Sequence, residues 1–170
     1  VELRDVGVSG GKNSVGLDGK NEGDISSVLV TGSVAGEQKT GGLIGNNAPD
    51  ATILASSSQA DVSTLSDNKV GGLVGVTSGS VKQSYSTGKV TGDRFGSDVG
   101  GLVGAIKDSG SVTRAYATGD VFGDNNVGGL VGKLKGTVSL AFATGSVSGD
   151  NDLGGLVGEK NGVVSNSYYD

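Results

Sequence analysis

Apolar positions along this chain come in short alternating stretches, and nowhere in the three- and four-residue spacing of a helix. Val112-Thr113-Arg114-Ala115-Tyr116-Ala117 is typical. Alternation over so few residues, with Val, Thr and Tyr inside and glycine at the margins, predicts short strands separated by turns. The stretches also repeat. GGLIG occupies Gly41–Gly45, and GGLVG occupies Gly71–Gly75, Gly100–Gly104, Gly128–Gly132 and Gly154–Gly158, at spacings of 30, 29, 28 and 26 residues. VGLDG at Val15–Gly19 is a degenerate earlier copy of the same mark. Between marks a second segment recurs as SVKQSYSTGKVTG from Ser80, SVTRAYATGDVFG from Ser111, TVSLAFATGSVSG from Thr137 and, more loosely, DISSVLVTGSVAG from Asp24; VVSNSYYD from Val163 is its last, partial copy.

Each unit is expected to hold three short strands: one through Gly-Leu-Val of the mark, one through Val-x-x-Ser/Ala-Tyr/Phe, and one through Gly-x-Val-x-Gly. A unit made only of strands cannot bury its own apolar face, but copies stacked in register at about 4.8 Å share one continuous core. The prediction is an all-β fold, a parallel β-solenoid or β-helix of about six coils of 26–30 residues. Residues 1–14 form a lead-in strand that caps one end, and the coils are 15–40, 41–70, 71–99, 100–127, 128–153 and 154–170. Leu43, Leu73, Leu102, Leu130 and Leu156 are expected to form one internal ladder, and Val34, Val62, Val90, Val121 and Val147 another. Tyr85, Tyr116, Phe142 and Tyr168 are placed inside as a third, because simple alternation sets them on the face of the neighbouring valines. The second unit, in which Ser57 replaces the aromatic and Gln59-Ala60 replaces Thr-Gly, should be the least regular.

The mark glycines are expected where corners need positive φ or where backbone layers approach closely. Variation in unit length falls beside the marks, at residues 46–50, 76–78, 93–98 and 105–109, which are read as rim loops. Asn46, Asn47, Asp93, Arg94, Lys107 and Asp108 are the candidate contact residues there.

Composition narrows the function classes. The net charge of −5, with no cluster of Lys or Arg, argues against a nucleic-acid partner. No apolar run is long enough to span a bilayer, so membrane insertion is not expected. The chain has 34 glycines and one proline, an imbalance unlike that of a disordered linker, and it has no cysteine or histidine. Thiolate metal sites and imidazole bases are thereby removed. The chain opens at Val1 without an initiator Met, as expected of a piece of a larger protein.

The GGLVG mark, the Val-x-x-Ser/Ala-Tyr-Ala-Thr-Gly strand and the closing Asn166-Ser167-Tyr168-Tyr169-Asp170 resemble the GLUG motif repeat, over about residues 15–170. Copies of that family often end in Ser-Tyr-Trp-Asp; here Tyr169 stands in place of the tryptophan. The resemblance implies a region of a large bacterial protein, secreted or held at the cell surface, of the filamentous-haemagglutinin or immunoglobulin-A-peptidase-associated kind. It implies no catalytic residues and no cofactor.

Candidate sites are few. The acidic turns before the marks, with Asp124, Asn126, Asp150 and Asp152 foremost, offer stacked oxygens to calcium. That ion takes about six to eight oxygens in one concerted geometry, and Asp and Asn serve equally as turn residues that tolerate positive φ, which is the favoured reading. The Thr31, Thr87, Thr118 and Thr144 rank reads as a corner ladder before it reads as an array for ice or sugar. Asp108, Arg114, Lys107 and Arg94 neither recur nor converge as a hydrolase site requires. The expectation is therefore a non-enzymatic structural or adhesive rod, with host or matrix protein or glycan as partner, and a carbohydrate-binding or carbohydrate-active β-helix as the alternative. Unpaired strand edges at its ends invite end-to-end self-association.

Overall fold

The protein is described by a computed structural model covering residues 2–9, 18–64, 69–94 and 97–170, and every regular element among the described residues is a β-strand. Most of the degenerate mark at Val15–Gly19 and the acidic pair Asp67-Asn68 lie outside the described residues. Each strand pairs in parallel with its copies one repeat earlier and one repeat later. Val74 sits opposite Ile44 on one side and Val103 on the other, and Val90 sits between Val62 and Val121. Repeated around the coil, this pairing builds an 11-stranded sheet, two 6-stranded sheets and a 5-stranded sheet. The molecule is a parallel β-solenoid.

The three strands expected per coil are each shorter, and there are five. In one coil they are Val74–Thr77, Ser80–Lys82, Tyr85–Ser86, Val90–Thr91 and Ser97–Gly100. The extra breaks fall at Gly72-Leu73, inside the mark, and at Gln83-Ser84. The second break is a left-handed corner that recurs in every coil. Ser27, Ala55, Gln83, Arg114, Leu140 and Asn166 occupy it with φ of 57, 48, 50, 53, 52 and 47°. Left-handed backbone costs an L-residue about 1–2 kcal/mol. The interstrand ladder holds it in place: the N–H of Gln83 donates to Thr113 O at 3.0 Å, and that of Arg114 to Ser139 O at 3.1 Å.

Positive φ is therefore not what the mark glycines supply, contrary to one half of the expectation; among the described residues Gly32, at 108°, is the glycine that shows it. Close approach is the reason. A Cβ on Gly72, Gly101 or Gly129 would lie 2.2, 2.1 or 2.0 Å from the carbonyl oxygen of the corresponding glycine one coil on. The first glycine of each mark is equally confined: a Cβ on Gly100 would meet Val103 O at 2.1 Å. The leucine that follows them closes the turn, because Leu73 O accepts the N–H groups of both Leu43 and Ile44, at 2.9 and 3.1 Å.

Leu43, Leu73, Leu102 and Leu130 are fully buried, and Leu156 packs half-buried against them in the outermost coil. Val34, Val62, Val90 and Val121 form the second ladder, with Val147 partly exposed at its end. The second unit keeps full register, Ile53 opposite Val81 and Val62 opposite Val90, despite its divergent sequence. Its inward residues Ile53, Ala60 and Val62 are all buried, so the alanine it carries in place of the repeat's glycine is accommodated within the core. The strand Glu2–Ser9 lies parallel against Leu29–Gly36, with Val8 opposite Val34, and covers that edge of the largest sheet.

Gly129→Val should remove the cooperative thermal transition, at a cost above about 4 kcal/mol, the range of core disruption; a melting temperature near that of the unaltered protein would refute the close-approach account. At the left-handed corner, Leu140→Asn should raise stability by about 0.5–1 kcal/mol in denaturant titration, since asparagine tolerates this backbone and Leu140 is 49% exposed.

Candidate functional surface

The outward surface is set by the left-handed corner. In a continuous strand Val112, Arg114 and Tyr116 would share a face, but the corner at Arg114 resets the phase. Val112, Ala115 and Ala117 point inward and are buried, whereas Tyr116 is half-buried on the outer side. Tyr85, Tyr116, Phe142 and Tyr168 therefore do not form a core ladder; this corrects the sequence expectation. They form an external stack, with ring centroids 4.8, 5.0 and 5.7 Å apart and interplanar angles of 1, 7 and 12°. Burial between its neighbours pushes the Tyr116 phenol above its ordinary pKa, and the adjacent Tyr85 phenol adds to the effect. Thr87, Thr118 and Thr144 are exposed two residues further on, so hydroxyls run beside the rings along the axis. The rings spend their faces on one another. What they offer solvent is edges, phenolic hydroxyls, and the free face of Tyr168, which is 63% exposed.

The rim residues divide. Arg94, Lys107 and Asp108 are exposed and Asp93 is half-exposed, as expected of loops. Asn46 and Asn47 are not rim residues: both lie in the strand Ile44–Asn47, and Asn47 is fully buried. The mark is followed by two further strand residues, as Val76-Thr77 and Ala105-Ile106 also show. Asn47 belongs to an internal rank, accepting from Asn21 Nδ2 at 2.8 Å and donating to Thr77 Oγ1 at 3.1 Å. Ile106 and Leu134 fill the same place in later coils. One buried rank thus passes from polar to apolar, and its polar members are paired.

Of the acidic turn residues, Asp124 and Asp150 line an open cleft of about 450 Å³ together with Arg94 and Gly123. Asn126 turns inward, donating from Nδ2 to Asp98 Oδ1 at 2.8 Å, and Asp152 is exposed. The four calcium candidates do not converge; among the described residues no three acidic side chains gather as a metal site. Asp98, Asn126 and Asp152 adopt φ of 69, 47 and 49°, the turn geometry for which such residues are suited. Asp98 is 3% exposed, and its other oxygen lies 3.3 Å from Lys69 Nζ. This half-buried pair was invisible in the sequence as a pair, because 29 residues separate its members; only their equivalent places in adjacent coils bring them together.

Two further outward contacts follow the repeat spacing. Lys89 Nζ lies 4.5 Å over the Phe122 ring. Lys133 pairs with Glu159 of the next coil, and the hydrogen bond between them raises the lysine's pKa and lowers the carboxyl's. Among the described residues no helix is long and apolar enough to cross a membrane.

Fold and surface together define a β-solenoid repeat module whose glycine, leucine and valine ranks are interior and whose aromatic and threonine ranks face outward. Residues 67–91 match the family model of the GLUG motif, and the chain carries a GLUG-repeat region. No curated protein matches the chain at a significant level.

The Lys133–Glu159 pair carries a pH signature. The lowered Glu159 pKa gives stability that is present above the unfolded carboxyl range and lost as pH falls through the folded value. The raised Lys133 pKa gives stability lost as pH climbs through its own folded value. With side chains 29 and 31% exposed, the pair should contribute no more than about 1 kcal/mol. Glu159→Gln should melt below the unaltered protein at pH 7, and the gap should narrow as pH falls below the unfolded carboxyl range; a gap that stays constant down to acid pH would remove the assignment.

Proposed function

We propose that this chain is a non-catalytic rod segment of an exported bacterial surface protein, and that it supports or mediates adhesion to host, matrix or neighbouring cells. The carrying observation is the division of labour within each repeat. The mark glycines, the leucine ladder and the valine ladder are consumed by stacking, while Arg94, Lys107 and Asp108 stand exposed where the units differ. A scaffold that repeats its interior and varies its rim is suited to display contacts at fixed axial intervals. The resemblance to GLUG repeats of large surface proteins supports export and the cell surface or extracellular space as location. The rest of the larger protein is then the nearest partner.

The external ring stack with its flanking threonine hydroxyls favours a second reading, a carbohydrate contact made along that face. Phenolic and threonine hydroxyls recognise sugar hydroxyls by hydrogen bonding even when ring faces are covered.

A glycan and matrix-protein array separates the readings. It is probed with the unaltered chain, with an Arg94→Ala/Lys107→Ala/Asp108→Ala variant, and with a Thr118→Val/Thr144→Val variant. Rim adhesion predicts signals on matrix proteins that the rim variant loses more than tenfold, about 1.4 kcal/mol. Sugar contact predicts glycan signals lost in the threonine variant. No signal above background on any surface would overturn the adhesive reading and leave a spacer.

A further inference from the structure

The inward rank next to the ring stack is kept small through the body of the solenoid. Ser58, Ser86, Ala117 and Ala143 occupy it in successive coils, each buried. The residue paired to Ala143 in the outermost coil is Tyr169. A ring here has consequences that the earlier coils make measurable. In them, the space where a Cβ of the second mark glycine would stand is taken by the carbonyl of the next coil's glycine, Gly101 O over Gly72, Gly129 O over Gly101 and Gly155 O over Gly129, at 2.2, 2.1 and 2.0 Å, together with the small inward side chain, Ser86 Oγ at 2.2 Å over Gly72 and the Cβ atoms of Ala117 and Ala143 at 3.0 and 3.2 Å over Gly101 and Gly129. Over Gly155 the same space is filled by Tyr169: its Cδ2, Cε2 and Cγ lie 2.2, 2.4 and 2.4 Å from the Cβ position.

We propose that Tyr169 is a stop residue for the solenoid: its ring takes the place that the glycine carbonyl of a further coil must occupy. A coil of the GGLVG pattern stacks only by bringing its second glycine over Gly155, and while a serine hydroxyl or an alanine methyl shares that volume with the carbonyl in the earlier coils, a tyrosine ring fills it. The ring also forms part of the wall of a shallow apolar recess with Leu156, Val157 and Val164, the last ranks of the core. It lies against these residues while remaining 65% exposed itself. This assigns the end beyond Gly155 as a surface that resists addition of another GLUG coil, whether from a longer chain or from the leading end of a second copy. Repeat arrays need such an end, because a stacking surface left complete recruits copies of itself. The stop depends only on the size of the side chain at one inward position, that of Tyr169.

The test appends a second copy of residues 145–170 directly after Asp170, a step of 26 residues that continues the register of the last two marks. It is made in the unaltered chain and in Tyr169→Ala, and amide hydrogen exchange is read in the appended segment. With Tyr169 retained, the added strands should exchange as unfolded chain; with Tyr169→Ala they should exchange more than about tenfold more slowly, as a stacked coil does. Equal protection in both would overturn the proposal. A second measurement guards against an alanine variant that is merely frayed. Without the appended copy, Tyr169→Ala should give a mass that rises with concentration in light scattering, while Tyr169→Phe, which keeps the ring, should stay monomeric. Concentration-dependent association of the unaltered chain equal to that of Tyr169→Ala would count against the stop.

Discussion

Every coil of this protein is held to its neighbour by a backbone approach that leaves no room for a side chain. At Gly42, Gly72, Gly101 and Gly129, the second glycines of their marks, the neighbouring carbonyl stands about 2 Å from where a Cβ would be, closer than any side chain permits. The chain can turn so tightly there only because Gly-Gly leads into Leu, whose carbonyl gathers two N–H donors of the coil before it. That turn fixes the height of one coil over the next. Once the height is fixed at the interstrand spacing, leucine lands on leucine, valine on valine, and ring on ring. The entropic cost of so many glycines, about 0.5–1 kcal/mol each against alanine, is the cost of setting that height at each repeat.

The left-handed corner is the complementary constraint. It determines which residues face solvent, and it does so without a residue type of its own: Ser, Ala, Gln, Arg, Leu and Asn all occupy it. A corner that any side chain can fill carries no sequence signal, and this is why the aromatic rank reads as core from alternation alone. The serine after the corner adds a second fastening in some coils. Ser84 Oγ donates to Lys82 O at 2.8 Å and accepts from Ser56 N–H at 3.2 Å, so one hydroxyl joins two coils at the bend. Ala115 and Ala141 replace it in other coils, where the ladder suffices.

The fold was legible because its determinants repeat. Spacing of the marks gives the coil, and coil stacking gives parallel register; the leucine and valine ladders follow without further information. Surface chemistry was less legible, and for physical reasons that differ by residue. Asn47 looked like loop because it follows a mark and is polar; its burial depends on Asn21 and Thr77, partners 26 and 30 residues away in sequence. Lys69 and Asp98 meet only through the offset of one repeat. Arg94, Lys107 and Asp108 were placed correctly outside because they lie where unit lengths differ, and a length difference can be absorbed only where no strand above or below must match it.

The same logic explains why the most informative residues lie at the ends of ranks. Within the solenoid a substitution is judged against two neighbours of the same kind, so a rank tolerates only what stacks: Asn21 on Asn47, then Thr77, then Ile106 and Leu134. In coil 154–170 the rank carries a residue that would be forbidden one step earlier. Tyr at the place of Ala143 would drive its ring into Gly155 O; at position 169 the ring itself occupies the corresponding volume over Gly155. A repeat protein therefore records its boundaries as the positions where a rank changes size, and those positions, unlike the marks, report on what the neighbouring surface can accept.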